Sequence, residues 1–582
     1  MAVVARIRKG AYHDSVALLQ VQRALRELPG VEEAGVVMGT PANLALLREA
    51  GLDAPDLQHA GPDDLVAVVR ARTEPEAVRA LERLDELLAH RAGTQQADYR
   101  PRSVRTAVRA LPGANLAVVS VPGRFAAGVA EEALREGLHV FLFSDNVAVA
   151  EEVRLKRLAT ERGLLVMGPD CGTAVVAGTG LGFANGLRRG PVGIVAASGT
   201  GLQEVACLVH RLGVGVSHAL GTGSRDLSEE VGGATFITAL LALAEDPLTE
   251  VIVLLSKPPS PQVATRVLRV ARGCSKPVVV SFLGAQPAGA WEGLHFATTL
   301  EEAAYLAVRL LGREIPERAD PTPEPLAWAP GQRWVRGLFA GGTLCVEAQV
   351  ILRPRLGRVW SNVPLTEQAR LPDPLVSREH TVVDLGSDEF TVGRLHPMLD
   401  PSVRNLRLLH EAQDPEVAVI LADVVLGYGA HPDPAGELAR AWEDALRRSG
   451  RKLVCVTSVC GTELDPQPYP EQVRRLREAG IVVAPSNAAA ARVAAALCGA
   501  QAPSAFPQWL PAVEVPEPVP IHRPSSEPVR RLLSGTPRVV NVGLESFAQS
   551  LQAQGVPVVS VDWRPPAPGD PELLDLLARL GG

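Results

Sequence analysis

Five segments of this chain recur in the same order in two halves of its length. GIVAASGTGLQEVA (Gly193 to Ala206) is answered by GLFAGGTLCVEA (Gly337 to Ala348). LGTGSRDL (Leu220 to Leu227) is answered by DLGSDEF (Asp384 to Phe390), and AEDPLTEVIVLLS (Ala244 to Ser256) by AQDPEVAVILAD (Ala412 to Asp423). GCSKPVVVSF answers to SGRKLVCVTS, and ATTLEEAAYLAVRL to APSNAAAARVAAAL. Each half alternates a short, continuous apolar run with an amphipathic helical pattern. That alternation specifies a parallel sheet covered on both faces. A fixed order of such units makes the centre of the chain two homologous open α/β domains of flavodoxin-like type, at 191–313 and 334–500.

The flanks read differently. Residues 1–98 alternate strand and helix signals in the manner of a small α+β, ferredoxin-like unit. Residues 103–190 carry three further β-then-α units, a partial Rossmann-type region. A Pro-rich stretch at 501–537 reads as an extended linker. The last segment, 538–582, reads as strand, helix, strand, too small to stand alone and expected to dock on this chain or a partner. At 582 residues the chain exceeds one core, so several domains are required. Net charge is −7, which argues against nucleic acid as a partner. No apolar run reaches membrane-spanning length and the N-terminus lacks an apolar signal region, so no membrane partner is expected. The seven scattered cysteines show no zinc-ligand spacing, so no metal is expected, and the compartment implied is a reducing cytoplasm.

VPGRFAAG (Val121 to Gly128), GPDCGT (Gly168 to Thr173), VGIVAASGT, the GTGSRD turn and KPVVVSFLGA (Lys276 to Ala285) occur in one order. In that order they resemble the α-subunit of succinyl-CoA synthetase and the wider NDP-forming acyl-CoA synthetases. The second repeat resembles the ligase domain of the β-subunit, and the whole arrangement looks like the FdrA family. The resemblance makes 103–190 a CoA-binding-type Rossmann domain and the two repeats succinyl-CoA ligase-like domains. It implies CoA contacts at Val121, Pro122, Gly123, Arg124, Phe125 and Ser144. It also implies other protein subunits, and a link to ureide breakdown through an oxamate carbamoyltransferase.

Ser198-Gly199-Thr200 and Gly341-Gly342-Thr343 each join a strand to a helix through small residues. Such a turn leaves backbone N–H groups and the positive end of the helix dipole facing one point, which suits a phosphate. A plain N-cap with a tight turn is the other reading of the same residues. A glutamate follows each threonine by four residues, Glu204 and Glu347. The superfamily's glycine-rich loop bearing a phosphorylated histidine is missing after SFLGA, and His295 reads as part of a strand. The family's glutamate partner of that histidine falls on Lys257, one of five lysines in the chain. Lys257 is read either as a phosphate-binding cation or as a solvated surface residue. No ATP-grasp segment is recognisable. In the second repeat Arg394, His396, Asp400 and Arg404 cluster where the first repeat has no such charges. Arg394 and Arg404 are read as an anion clamp and His396 as a proton carrier, or equally as parts of a plain loop preceding a helix, with Asp400 as that helix's N-cap and Pro401 at its first position. His431 is a weaker candidate of the same kind.

Together these readings favour transfer of a phosphate-activated acyl or carbamoyl group. The ligands expected are phosphate or an acyl or carbamoyl phosphate, with CoA as a possible third. Nucleotide-driven acyl-CoA formation and a non-catalytic scaffold are the alternatives.

Overall fold

The computed structural model describes residues 2–11, 15–62, 64–92, 100–287, 293–315, 320–321, 327–391, 395–499, 512–513 and 525–565. They fall into two compact units, one of 1–103, 390–395 and 560–582, the other of 104–389 and 396–559.

In the first unit β1 (Ala2–Arg8), β2 (Val31–Met38) and β3 (Leu65–Ala71) form an antiparallel sheet in the order β1-β3-β2. The central strand reads LVAVVRA and is buried almost throughout. Its two faces feed two apolar clusters: Ala67 and Val69 pack with Leu18 and Leu81 on one side, Val66 and Val68 with Leu47 and Leu57 on the other. A strand covered on both sides has no use for polar alternation, which explains the unbroken apolar run. The head is α+β and ferredoxin-like in character.

The second unit holds a mixed seven-stranded sheet, two five-stranded sheets and a two-stranded parallel pair. β4 (Leu116–Val119), β5 (His139–Leu142) and β6 (Val166–Met167) pair in parallel. A hairpin of β7 (Thr173–Val176) and β8 (Thr179–Gly182) follows. The first repeat supplies β9 (Arg189–Ala197), β10 (Val216–Gly221), β11 (Val251–Ser256), β12 (Val278–Phe282), β13 (Gln286–Pro287) and β14 (Leu294–Phe296). The second supplies β15 (Trp334–Phe339), β16 (Thr381–Asp384), β17 (Val417–Val425), β18 (Val454–Cys460) and β19 (Val482–Ala484). After them come β20 (Ala512–Val513), β21 (Val539–Val542) and β22 (Val558–Val561). The repeat sheets run β14-β12-β11-β9-β10 and β16-β15-β17-β18-β19. Counted along each repeat, both have the order 2-1-3-4-5 of a flavodoxin-like sheet.

Two features differ from the sequence reading, and a third selects one of the alternatives it left open. First, β7 and β8 lie within the stretch read as Rossmann-type, yet β7 pairs with β10 and extends the first repeat's sheet. Second, residues 501–537 are not wholly a linker. β20 pairs with β13, and a helix at Glu527–Ser534 buries Val529, Leu532 and Leu533. Those residues fall on one face at helical spacing, and Ser526 caps the start by accepting from Val529 N–H. Third, the C-terminal segment docks on this chain. β21 runs parallel to β4, Val539 opposite Leu116 and Val542 opposite Val119, giving a sheet ordered β22-β21-β4-β5-β6. Read with β21 and β22 ahead of β4, that order is again 2-1-3-4-5. The first strand that the 103–190 region lacks is therefore encoded more than 400 positions later, as in a circular permutation.

Candidate active site

The two repeats meet helix to helix, and their small-residue turns abut. Ser198 caps the helix Gly199–Arg211, its Oγ accepting from Gly201 N–H at 3.0 Å. The same Oγ lies 2.6 Å from Thr343 Oγ1 at the start of the helix Gly342–Leu356. A Cβ on Gly341 would come within 3.0 Å of Thr200 Cβ, so bulk is excluded where the two N-termini touch. The Ser198 and Thr343 hydroxyls are buried and pair with one another. Gly199, Thr200 and Gly342 remain half-buried.

Glu204 and Glu347 have structural work. Glu347 Oε1 accepts from Leu300 N–H at 2.6 Å, and Glu204 Oε1 from Asn487 N–H at 3.0 Å. Leu300 and Asn487 open the last helix of the first and second repeat respectively. Each glutamate thus caps a helix of the opposite repeat, a reciprocal exchange that locks the two domains together. Burial raises both carboxyls, Glu347 to about 8.

The two turns are chemically unequal. In the second repeat the Asp423 carboxylate takes the N–H groups of Ala340 and Gly341 at 2.8 and 2.7 Å. Asp423 stands where the first repeat has Ser256. The first turn has no such internal anion. The Gly199 and Thr200 N–H groups, like those of Gly342 and Thr343 at the equivalent positions, have no partner among the described residues; the difference at the first turn is the buried Thr173 Oγ1 beside it, which is also unpartnered. A Cβ on Gly199 would stand 3.8 Å from that oxygen.

Lys257 leaves the end of β11 half-buried and reaches the second turn, its Nζ 3.0 Å from where a Gly342 Cβ would stand. Asp384, at the end of β16, lies against the same glycine, with Oδ1 accepting from Gly386 N–H at 2.9 Å. Burial raises Asp384, and Lys257 opposes the shift. His396 Nε2 approaches the α-carbon of Gly386, while its Nδ1 accepts from Met398 N–H at 3.3 Å. Burial holds its pKa down at about 4, so the ring is neutral at pH 7 with its proton on Nε2. The Phe183 ring lies 5.6 Å from it.

Asp170 completes the cleft, and the sequence reading missed it although it stands inside the quoted GPDCGT. Its side chain opens to solvent but is walled in on most sides, and that enclosure raises it to about 6. It accepts from Ser224 Oγ, and Lys257 partly offsets the shift. The signal that could have found Asp170, Asp384 and Asp423 was positional: each lies at or near the carboxyl end of a strand, the edge of a parallel sheet where ligands bind.

The remaining candidates separate. Ser144 is buried and donates to Val121 C=O at 2.6 Å, so the residues expected to touch CoA at Val121 and Ser144 are spent inside the fold. Gly123 lets the following loop pass, since a Cβ there would overlap Asp145 C=O. Pro122 and Phe125 are half-buried, while Arg124 is exposed, its guanidinium 4.8 Å from the Phe125 ring. Arg404 is no substrate clamp. It is 2% exposed and donates to Asp423 C=O at 2.8 Å from behind the site. Asp400 accepts from Ser402 N–H at 3.1 Å, but Pro401 and not Asp400 is the N-cap of the helix Ser402–Glu411. His431 is buried and accepts from Asp433 N–H at 3.0 Å. His295 sits on β14. Arg394 lies outside the described residues.

The uncharacterized protein YahF of Escherichia coli K12 is 43% identical over 500 residues, covering 84% of this chain and 97% of its own length. The chain belongs to the YahF family. A family model described as CoA-ligase matches residues 338–497, which places the YahF family among the CoA-ligase-like acyl-CoA synthetases. A model described as AllF, heavy metal-associated domain, matches residues 1–103. That stretch has no cysteine, so no thiolate metal site can form within it. Malate–CoA ligase subunit alpha of Methylorubrum extorquens is 30% identical over 185 residues, 30% of this chain and 61% of its own. Succinate–CoA ligase [ADP-forming] subunit alpha of Staphylococcus epidermidis is 31% identical over 180 residues, 30% of this chain and 58% of its own. The chain thus spans less than two thirds of the length of either ligase subunit. No helix among the described residues is long and apolar enough to cross a membrane.

Proposed function

We propose that this chain transfers a phosphate-activated acyl or carbamoyl group, as one subunit of an oxamate carbamoyltransferase-like complex in ureide breakdown. The observation that carries the reading is the asymmetry of the twin turns. The first offers open N–H groups and an unpartnered threonine hydroxyl, while in the abutting second turn Asp423 already holds the Ala340 and Gly341 N–H groups and Lys257 lies against Gly342. A single phosphate at Gly199 and Thr200 fits that arrangement, with Lys257 offsetting its charge. Phosphate oxygen would attack the carbamoyl carbon of oxalurate, and the carbon–nitrogen bond to oxamate would break. The leaving nitrogen takes a proton, for which Asp170, titrating near 6, is the suited donor. Neutral His396 serves as an Nε2–H donor to a developing oxyanion. The match of residues 1–103 to a domain described as AllF supports the ureide assignment.

The competing reading, nucleotide-driven acyl-CoA formation, draws on the CoA-ligase match over 338–497. A carbamoyl-transfer assay with oxalurate and phosphate, run with and without the products of neighbouring genes, tests the proposal. Carbamoyl phosphate formation that disappears in Lys257→Ala supports it. Two results would sink it: no thermal protection by millimolar phosphate, or label from γ-labelled ATP appearing on a histidine.

A further inference from the structure

A second cleft, of about 760 Å³, opens at the other end of the helix Gly199–Arg211, against the helix Tyr469–Glu478 and β19. Thirteen helical residues separate it from the phosphate turn, roughly 18 Å at 1.5 Å per residue. Its size is that of a small-molecule site rather than a packing defect.

The charges lining it do not cancel. Arg188, Arg211 and Arg477 face one carboxylate, Glu463. Arg188 shares Glu463 with His210, whose Nε2 lies 2.8 Å from Glu463 Oε1. Arg211 is held by neutral acceptors, Tyr469 Oη at 2.6 Å and Pro485 C=O at 3.1 Å, and its Nε has no partner. Neither Arg211 nor Arg477 forms an ion pair among the described residues. Arg477 is exposed at the rim. Val473, Val483 and Pro485 add apolar lining, and the Arg211 guanidinium lies over the Tyr469 ring, 5.2 Å from its centroid. An anion alone would leave that lining unused, and an apolar ligand would leave two guanidinium groups uncompensated. A molecule with a phosphate end and a flat apolar body satisfies both.

We propose that this cleft is a nucleoside-phosphate site, separate from the catalytic cleft, with Arg477 and Arg211 taking the phosphate and the Val473–Val483 side taking the base. The inference does not depend on the transferase reading.

Isothermal titration of the full chain with ADP tests it. ADP is expected to bind the wild type, to bind at least tenfold more weakly to Arg477→Glu, and to bind Lys257→Ala within twofold of the wild type. Arg477→Ala, milder at the same exposed position, should fall between. Unchanged thermal midpoints would show that the variants fold. No binding at millimolar ADP, equal binding by Arg477→Glu, or loss in Lys257→Ala would each overturn the assignment. Inorganic phosphate binding as tightly as ADP would overturn the base-binding half.

Discussion

Glu347 offers a sharp test of how the two repeats are joined. Its carboxyl is fully buried, accepts from Leu300 N–H and Asn487 Nδ2–H, and has its pKa raised from 4.5 to about 8 by burial. Folding therefore takes up a proton at this group between about pH 4.5 and about pH 8. Stability linked to it is complete below the lower value and is lost as pH rises through the upper one. With those two values, the loss between pH 6 and pH 8 is about 2 kcal/mol. Glutamine keeps the shape and cannot ionise. Thermal midpoints of wild type and Glu347→Gln at pH 6 and pH 8 isolate the effect, because other titrating groups are common to both. The variant starts lower, since one of its two acceptors becomes a donor, but its midpoint should fall less across the pH step. An equal fall in both proteins would refute the buried, protonated glutamate.

Three further outcomes follow from the same geometry. Asp423→Ala should destabilise by roughly 1–3 kcal/mol, read from denaturant midpoints, because two buried N–H groups lose their acceptor. Asp170→Asn should abolish the limb of a transfer-rate profile near pH 6 and lower the rate by roughly 100-fold, the usual range for a lost acid–base group. A chain ending at residue 524 removes β21 and bares the edge of β4, so limited proteolysis should cut near residues 116–142 in the truncated protein and spare them in the full one.

Repetition made the central fold legible. Apolar runs such as VIVLLS and VAVILAD, each followed by a helical pattern, specify buried parallel strands whatever surrounds them. The turns at Ser198 and Gly341 were readable for the same reason, since only small residues let a strand pass directly into a helix. What those turns do was not readable. Whether the Ser198 hydroxyl meets a ligand or Thr343, and whether an N-terminus is open or filled by Asp423, depends on partners 80 to 150 positions away. Local pattern carries no trace of such pairings. The missing first strand of the β4–β6 sheet shows the same limit. VVNV reads as a strand from its own residues, but that it completes a sheet begun at Leu116 is a matter of edge complementarity, decided only when the chain has closed on itself. Sequence alone determined the elements, their repeat and the small residues of the turns. Tertiary structure decided which groups each turn already pairs, because hydrogen-bond satisfaction in a buried interface belongs to the assembled set of groups and to no one segment.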